Sequence, residues 1–350
     1  MEQVCLTQHS HGGGCGCKMD PAALHEILAN VPKIVADTKL LVGIESSDDA
    51  AVYQVNEEQA IIVTNDFFTP IVDDPYSFGR IASANALSDV YAMGGSPILA
   101  TSIVGFPVNK LPLTAMQEIM RGGVDACQDA GVPLAGGHSI DNLEPIFGLV
   151  GIGLVHPNNI KTNSGTQVGD VLLYTKPLGI GIMTTAIKVK MLSEAGTERV
   201  TEVMSRMNKP GAWLGTQESV TAITDITGFG LGGHLLEMAQ GGNVSIVVDT
   251  KKVNVMDDTW DLASEGVVPG SAYRNMSAYG AAIKFEGNLD EDHRLIFTDP
   301  QTSGGLLVSV RPEAADMILE ETKAMGFDDI SIIGEAIESN GNSSITFVTE

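Results

Sequence analysis

Basic residues are scarce in this 350-residue chain: 20 Lys and Arg stand against 44 Asp and Glu, a formal net charge of −24. That balance excludes general binding to nucleic acid, which needs cations for the phosphates. It equally disfavours docking on anionic lipid. Cysteine is scarce too, and four in a chain of this length are no disulfide framework. No apolar run approaches the roughly 20 residues of a membrane span. The first residues, MEQVCLTQHS, hold no basic segment followed by an apolar stretch, so no secretory signal is read. Free thiols and a cytoplasmic setting are the expectation. The standard nucleotide fingerprints are missing as well: there is no glycine-rich loop ending in GK-S/T, and no GxGxxG after a strand.

What is present is a folding chain, 43% hydrophobic and long enough for two domains. Residues 1–19 read as a mobile, glycine-rich arm. Asp20-Pro21 then starts a helix, Pro21–Asn30, with Asp as the cap and Pro at the first helical position. DDAAVYQV and AIIVTNDFF read as strands from their β-branched or alternating pattern, and FGRIASANALSDVYAMGG as a helix stopped at Gly94-Gly95. Strand, helix (Leu113–Ala130), short strand (VPLAGG) and strand (IFGLVGIGLV) follow. The polar stretch HPNNIKTNSGTQVGD marks a boundary near residue 157. This gives domains at 20–157 and 158–350. The second half mixes predicted helices (Ile182–Leu192, Glu198–Met207, Ala212–Ala222, Pro312–Met325) with strands (VLLYTK, VSIVVD, GLLVSV). The fold class is α+β, or mixed α/β, in both halves.

Three groups of residues carry chemistry. Aspartates sit at the ends of apolar segments: Asp48 and Asp49 before one strand, Asp66 closing another, Asp225 after VTAIT. Asp89 shares a helix stripe with Asn85, four residues earlier. Aspartates gathered this way suit Mg²⁺ beside a nucleotide, since Mg²⁺ takes one or two carboxylates plus phosphate oxygens and water. For any one of them a turn or cap residue is the commoner role. Glycine-rich turns form the second group: LAGGHSID, with Gly137, His138 and Ser139, and TDITGFGLGGHLLEM. Such turns aim N–H groups at phosphate or simply supply backbone geometry. The third group is the arm, HSHGGGCGCK. Its glycines look too many for packing. His9, His11, Cys15 and Cys17 include zinc-type ligands, but Cys-x-Cys is tighter than the usual structural spacing. A disulfide is another reading. Lys18 beside the thiols would lower a thiol pKa, which makes Cys15 or Cys17 a candidate reactive thiolate. Cys127, among Val124, Ala126 and Ala130, reads as packing. His25, His156, His234 and His293 read as structural or exposed.

The stretches HGGGCGCK, SSDDAAVY, TNDFFTPIVDDPYSFGRIASANALSDVYAMGG, LAGGHSIDNLEPIFGL, TKPLGIG, TDITGFGLGGHL and DPQTSGGLL occur in order across nearly the whole chain. Together they resemble the selenophosphate synthetase (selenide, water dikinase) family, of the aminoimidazole ribonucleotide synthetase-like superfamily. GCGCK is the most specific piece. The resemblance implies that ATP, selenide and water give selenophosphate, AMP and orthophosphate. It implies catalytic roles for Cys15 and Lys18, and several Mg²⁺ ions on Asp49, Asp89 and Asp225. Lys18, Ser46, Ser47, Asp48, Asp66, Asp89 and the Gly137-His138-Ser139 turn then match nucleotide-contacting positions. It also implies a homodimer whose N-terminal domains share a β-barrel, with ATP near the interface, and leaves open a selenium-delivery protein. Another phosphotransferase of the superfamily, or a thiol-based metal or selenium carrier, are the alternatives.

Overall fold

The computed structural model describes residues 4–17, 27, 37–44, 48–287 and 289–349. The predicted helix Pro21–Asn30, apart from residue 27, and the candidate residues Lys18, Ser46 and Ser47 lie outside them.

The first domain is one sheet with two helices on one face. Its elements in chain order are β1 (Leu40–Val42), β2 (Ala51–Gln54), β3 (Ala60–Phe68), α1 (Pro75–Ala92), β4 (Ser96–Phe106), α2 (Leu113–Asp129), β5 (Leu134–Asp141) and β6 (Ile146–Val155). The strand order is β1-β2-β3-β6-β4-β5. Every pairing is antiparallel except β4 with β5. Along β3 the residues alternate. Ala60, Ile62, Thr64 and Phe68 are buried, whereas Val63, Asn65 and Phe67 are exposed. A strand shows that pattern when one face meets the core.

Helix α1 begins at Pro75 because the Asp74 carboxylate accepts from the Ser77 N–H at 2.8 Å and Pro occupies the first turn. This is three residues before the start expected from FGRIAS. The helix has no single apolar stripe, and most of its residues are buried. It lies between the first sheet and elements of the second domain, so every side of it meets protein. Two glycines let α2 come close: a Cβ on Gly79 would fall 2.0 Å from the Ile119 carbonyl oxygen, and one on Gly122 2.0 Å from that of Tyr76.

The chain passes to the second sheet between Val155 and β7 (Val171–Tyr174). There follow α3 (Ile180–Lys188), α4 (Glu194–Ser205), α5 (Pro210–Gly215), β8 (Val220–Asp225), α6 (Gly230–Gly242), β9 (Val244–Asp249), α7 (Asp258–Ser264), α8 (Gly270–Tyr279), β10 (Ile283–Phe285), α9 (Glu291–Phe297), β11 (Leu306–Val310), α10 (Ala315–Ala324), β12 (Ser331–Glu338) and β13 (Ile345–Val348). The order is β10-β13-β9-β12-β7-β11-β8, parallel only at β13 with its two neighbours. Both halves are therefore mixed α/β, as the residue patterns predict.

Three expectations need correction. The helix read over Ala212–Ala222 stops at Gly215; Val220, Thr221, Ile223 and Thr224 are β-branched, and Val220, Ile223 and Thr224 pair with β11 instead. LAGGHSID is not a turn after a short strand: it is β5 throughout, the exposed edge of the first sheet. Residues 4–17 are not too glycine-rich to pack. Leu6 and Cys15 join the main apolar core, and two short 3-10 turns (Leu6–His9 and Gly14–Cys17) set the path.

Candidate functional site

Cys15 is only 2% exposed. Its N–H donates to the Thr302 hydroxyl at 3.0 Å, and its thiol lies 3.3 Å from Asn85 Oδ1. Gly14, with φ +56°, makes this seat possible, because a Cβ there would lie 2.2 Å from the Thr302 hydroxyl. Asn85 is the node of the site. Its Oδ1 also accepts from the Ser303 N–H at 2.8 Å, and its Nδ2 donates to Asp66 at 2.6 Å. The amide orientation follows from those partners, since a backbone N–H needs the oxygen and a carboxylate needs the NH₂. One side chain in the middle of α1 thus joins the thiol, the end of β3 and the loop before β11.

Ser303 has φ +54°, unusual for a residue other than glycine. It is held from both sides, by Asn85 at its N–H and by Lys176 at its carbonyl, 2.7 Å away. Lys176 is fully buried and also donates to the Arg206 carbonyl at 2.7 Å. Burial, with Arg206 adding to it, pushes the Lys176 ammonium down to about 7. Asp299, also buried, accepts at Oδ2 from the Gly181 N–H at 2.9 Å and the Gln301 side-chain amide at 2.8 Å. Burial outweighs these donors and holds its carboxyl up at about 8.

The aspartates form a second, adjoining group. Asp89, one turn beyond Asn85 on α1, accepts from the Thr64 hydroxyl. Asp49 accepts from the Thr224 hydroxyl at 3.1 Å, and Asp225 closes β8 on the neighbouring residue. Burial, then the charges of Asp225 and Asp89, hold the Asp49 carboxyl well above the ordinary carboxylate range. Asp48 points elsewhere and accepts from the Asn163 N–H at 2.8 Å.

The donor set suits a divalent cation in one specific respect. Asp49 Oδ2 is buried without a hydrogen-bond partner among the described residues, within the field of two further carboxylates. Such crowding is relieved by a cation. Among the described residues no group of three or more His, Cys, Asp and Glu side chains is closed up as a metal cage. Mg²⁺ does not require one, because substrate phosphates and water complete its shell. The zinc reading of the arm fares differently: His11 instead faces Glu144 at 2.8 Å, and Cys15 faces Asn85.

The structure therefore brings Cys15 and Asp66 together, and Asp49, Asp89 and Asp225 together. It does not bring the Gly137-His138-Ser139 segment to them. That segment lies on β5, with β4 and β6 between it and Asp66 on β3, about 14 Å away at ordinary strand spacing. Sequence reasoning passed over Lys176, Asp299, Thr302 and Ser303, although TKPLGIG and DPQTSGGLL hold them. His234, read as structural or exposed, takes the structural alternative. In the structure the His234 ring is buried, accepts from the Thr227 N–H at 3.1 Å and faces Glu237 at 3.0 Å.

Comparison with known proteins covers both halves. Residues 47–155 match the family described as AIR synthase related protein, N-terminal domain, and residues 167–346 match its C-terminal domain. A selenide, water dikinase of Paraburkholderia xenovorans is 49% identical over 340 residues, covering 97% of this chain and 96% of its own. One of Pseudomonas straminea is 49% identical over 331 residues, covering 94% and 92%. Among solved structures, thiamine-monophosphate kinase from Stenotrophomonas maltophilia superposes with a TM-score of 0.64 at 18% identity, covering 88% of this chain and 91% of that one. AaThiL complexed with AMPPCP and TMP gives 0.63 at 17%, covering 93% and 91%. The structural likenesses carry the fold, and the sequence likenesses carry more: the chain belongs to the selenide, water dikinase family.

Proposed function

We propose that the chain makes selenophosphate, converting ATP, selenide and water to selenophosphate, AMP and orthophosphate. The observation that carries this reading is the seat of Cys15. A thiol on a glycine-rich segment is held through one amide, Asn85, beside a carboxylate at the end of β3. A carrier without turnover has no use for the adjoining aspartates.

Phosphoryl transfer needs positioning and charge neutralisation more than covalent help from the protein. Asp49, Asp89 and Asp225 are the residues that would hold Mg²⁺, which when bound neutralises phosphate charge. AaThiL, of the same fold, has been solved with AMPPCP, which supports ATP as the substrate here. Asp66, fixed by Asn85, shares that amide with the thiol. Ser46, Ser47, Asp48 and Lys18 keep their assignments as proposals, with Lys18 stabilising charge that builds on the transferred group. Hydrogen selenide is a strong nucleophile already, so Cys15 orients or carries selenium and need not activate it.

A homodimer accounts for the position of Gly137, His138 and Ser139. The face of the first sheet away from α1 exposes Tyr53, Val63 and Phe67, with Ile98 and Ile140 near the opposite edge. A second copy packed on that face would close a shared barrel, cover it, and carry its β5 toward the carboxylates of the first. A soluble, cytoplasmic enzyme, and selenide handed over by a delivery protein, remain parts of the same proposal. The domain division, with an arm at 1–19 and domains at 20–157 and 158–350, belongs to it too.

Phosphorus NMR tests the reaction. With ATP, Mg²⁺ and anaerobic selenide, a selenium-coupled phosphorus signal should appear together with AMP and orthophosphate, and only when selenide is present. ADP as the final nucleotide, or product without selenide, would point to another phosphotransferase of the superfamily. Cys15→Ser should abolish the coupled signal; an undiminished rate would remove the thiol from the mechanism.

A further inference from the structure

A cavity of about 430 Å³ lies under the docked arm and differs from the rest of the molecule in charge. Gly12, Gly13 and Gly16 form one wall, and Lys188 of α3 and Arg274 of α8 reach it from the other side. No Asp or Glu is among the described residues that line it, in a chain where acids outnumber bases 44 to 20. The two cations fasten the arm, but only to neutral groups. Lys188 Nζ donates to the Ser10 carbonyl at 3.1 Å and the His11 carbonyl at 3.4 Å, and the Arg274 guanidinium donates to the Gly16 carbonyl at 3.3 Å. These are long bonds, and a cation binds an anion more strongly than it binds a carbonyl.

The cavity also backs onto the thiol. Thr302 lines it, and the same hydroxyl accepts the Cys15 N–H. Of the residues close to Cys15 along the arm, Gly13 and Gly16 line the cavity and carry no side chain into it. The thiol points the other way, toward Asn85 and Asp66. Cys15 therefore sits between a cationic chamber and the carboxylates.

We propose that this cavity is where the anionic selenium substrate arrives, with Lys188 and Arg274 as its binding groups. The proposal rests on the reaction inferred above. The ligand is a soft selenium anion, either hydrogen selenide itself or a selenopersulfide, RS–Se⁻, whose selenium a second thiol reduces and releases as hydrogen selenide with formation of a disulfide. The volume falls in the range of pockets for small organic ligands, about 300–1,000 Å³, so it has room for both. An arriving anion takes the N–H groups of Lys188 and Arg274 away from the Ser10, His11 and Gly16 carbonyls. Substrate binding thus removes three of the bonds that seat the arm, while those of Thr7 to Asp73, Gly14 to Thr69 and His11 to Glu144 stay, so the cover over Cys15 becomes easier to lift.

Both side chains are exposed on their helices, so Lys188→Met and Arg274→Met should fold. Anaerobic equilibrium dialysis of the whole chain with radiolabelled selenide, without nucleotide, reads binding alone. A parallel arm supplies the selenium as preformed glutathione selenopersulfide without free glutathione, which is added only for turnover, where it releases hydrogen selenide and leaves as the disulfide. Either variant should weaken binding about tenfold or more. In turnover each should raise the KM for selenium by a similar factor, with the KM for ATP and the saturating kcat retained, and Lys188→Arg should restore it. An effect confined to the glutathione arm identifies the thiol-borne form as the ligand, and one confined to the other arm identifies the bare anion. Unchanged binding and unchanged selenium KM in both arms would overturn the proposal. So would a fall in kcat alone, which would make the two cations fasteners of the arm and nothing more. Selenide binding that depends on Lys188 and Arg274 in a chain that makes no selenophosphate would sink the proposed reaction while leaving the cavity's assignment intact.

Discussion

Asn85 holds three partners that come from three distant parts of the chain: Cys15, Asp66 and Ser303. Asn85→Ala leaves a buried backbone N–H and a carboxylate without it, at a cost of about 1–3 kcal/mol. The melting temperature should drop, and selenophosphate synthesis should fall further than the stability loss explains, read by comparing activity well below the transition. Asp299 gives a test in pH. Its folded carboxyl sits at about 8, against an unfolded value of 3.8. The folded state therefore binds the extra proton between those values. The stability this contributes is complete below about pH 4 and is lost as pH rises through 8. Asp299→Asn, which cannot ionise, should gain in melting temperature relative to the parent from pH 5 to pH 8. A constant difference across that range would mean that the carboxyl is ionised in the fold. At this scale the sequence announced the residues whose chemistry is conspicuous: a Cys-x-Cys on glycines, and aspartates at strand ends. Asn85, Ser303 and Lys176 were not visible as partners, because nothing in residue spacing reports that positions 15, 85 and 303 meet.

Helix α1 makes the same point for elements. Its existence was legible from its length and from the Gly94-Gly95 stop, and its start from Asp74-Pro75 would have been, by the cap rule. Its burial was not, since an all-round buried helix has no stripe to read. The contact of α1 with α2 depends on two glycines that touch the facing backbone. Gly79→Ala and Gly122→Ala should each destabilise by about 1–3 kcal/mol, through forced separation of the two helices. Denaturant melts should show a lower midpoint, and because Asn85 and Asp89 ride on α1, activity should suffer along with it. A change within a few tenths of a kcal/mol would mean that the helices part without cost. The misread stretch at 212–222 has a related cause. It opens on a true helical turn, Pro210–Gly215, and the β-branched run from Val220 onward argues for the strand that β11 pairs with.

At the scale of the whole molecule, the two-domain α/β plan followed from the alternation of elements and the polar stretch after Val155. The apolar outer face of the first sheet was not anticipated strand by strand, although a dimer was expected from the resemblance. Phe67, 48% exposed, stands in that face. Phe67→Glu would bury a charge in the proposed interface. Sedimentation equilibrium should give a dimer for the parent and a monomer for the variant at the same concentration. A monomeric parent would instead leave the Gly137-His138-Ser139 strand without a route to the site.

The packing of residues 4–17 has one more consequence. With Cys15 covered, a dissolved oxidant or alkylating reagent reaches the thiol only while this segment is off its seat. Its reaction rate is then the chemical rate scaled by the fraction of time spent undocked. The enzyme's resistance to air would not come from the thiol's own chemistry. It would be set by the hydrogen bonds that seat this segment, among them those with Thr302, Asp73, Lys188 and Arg274, and would weaken whenever the substrate that needs the thiol is present.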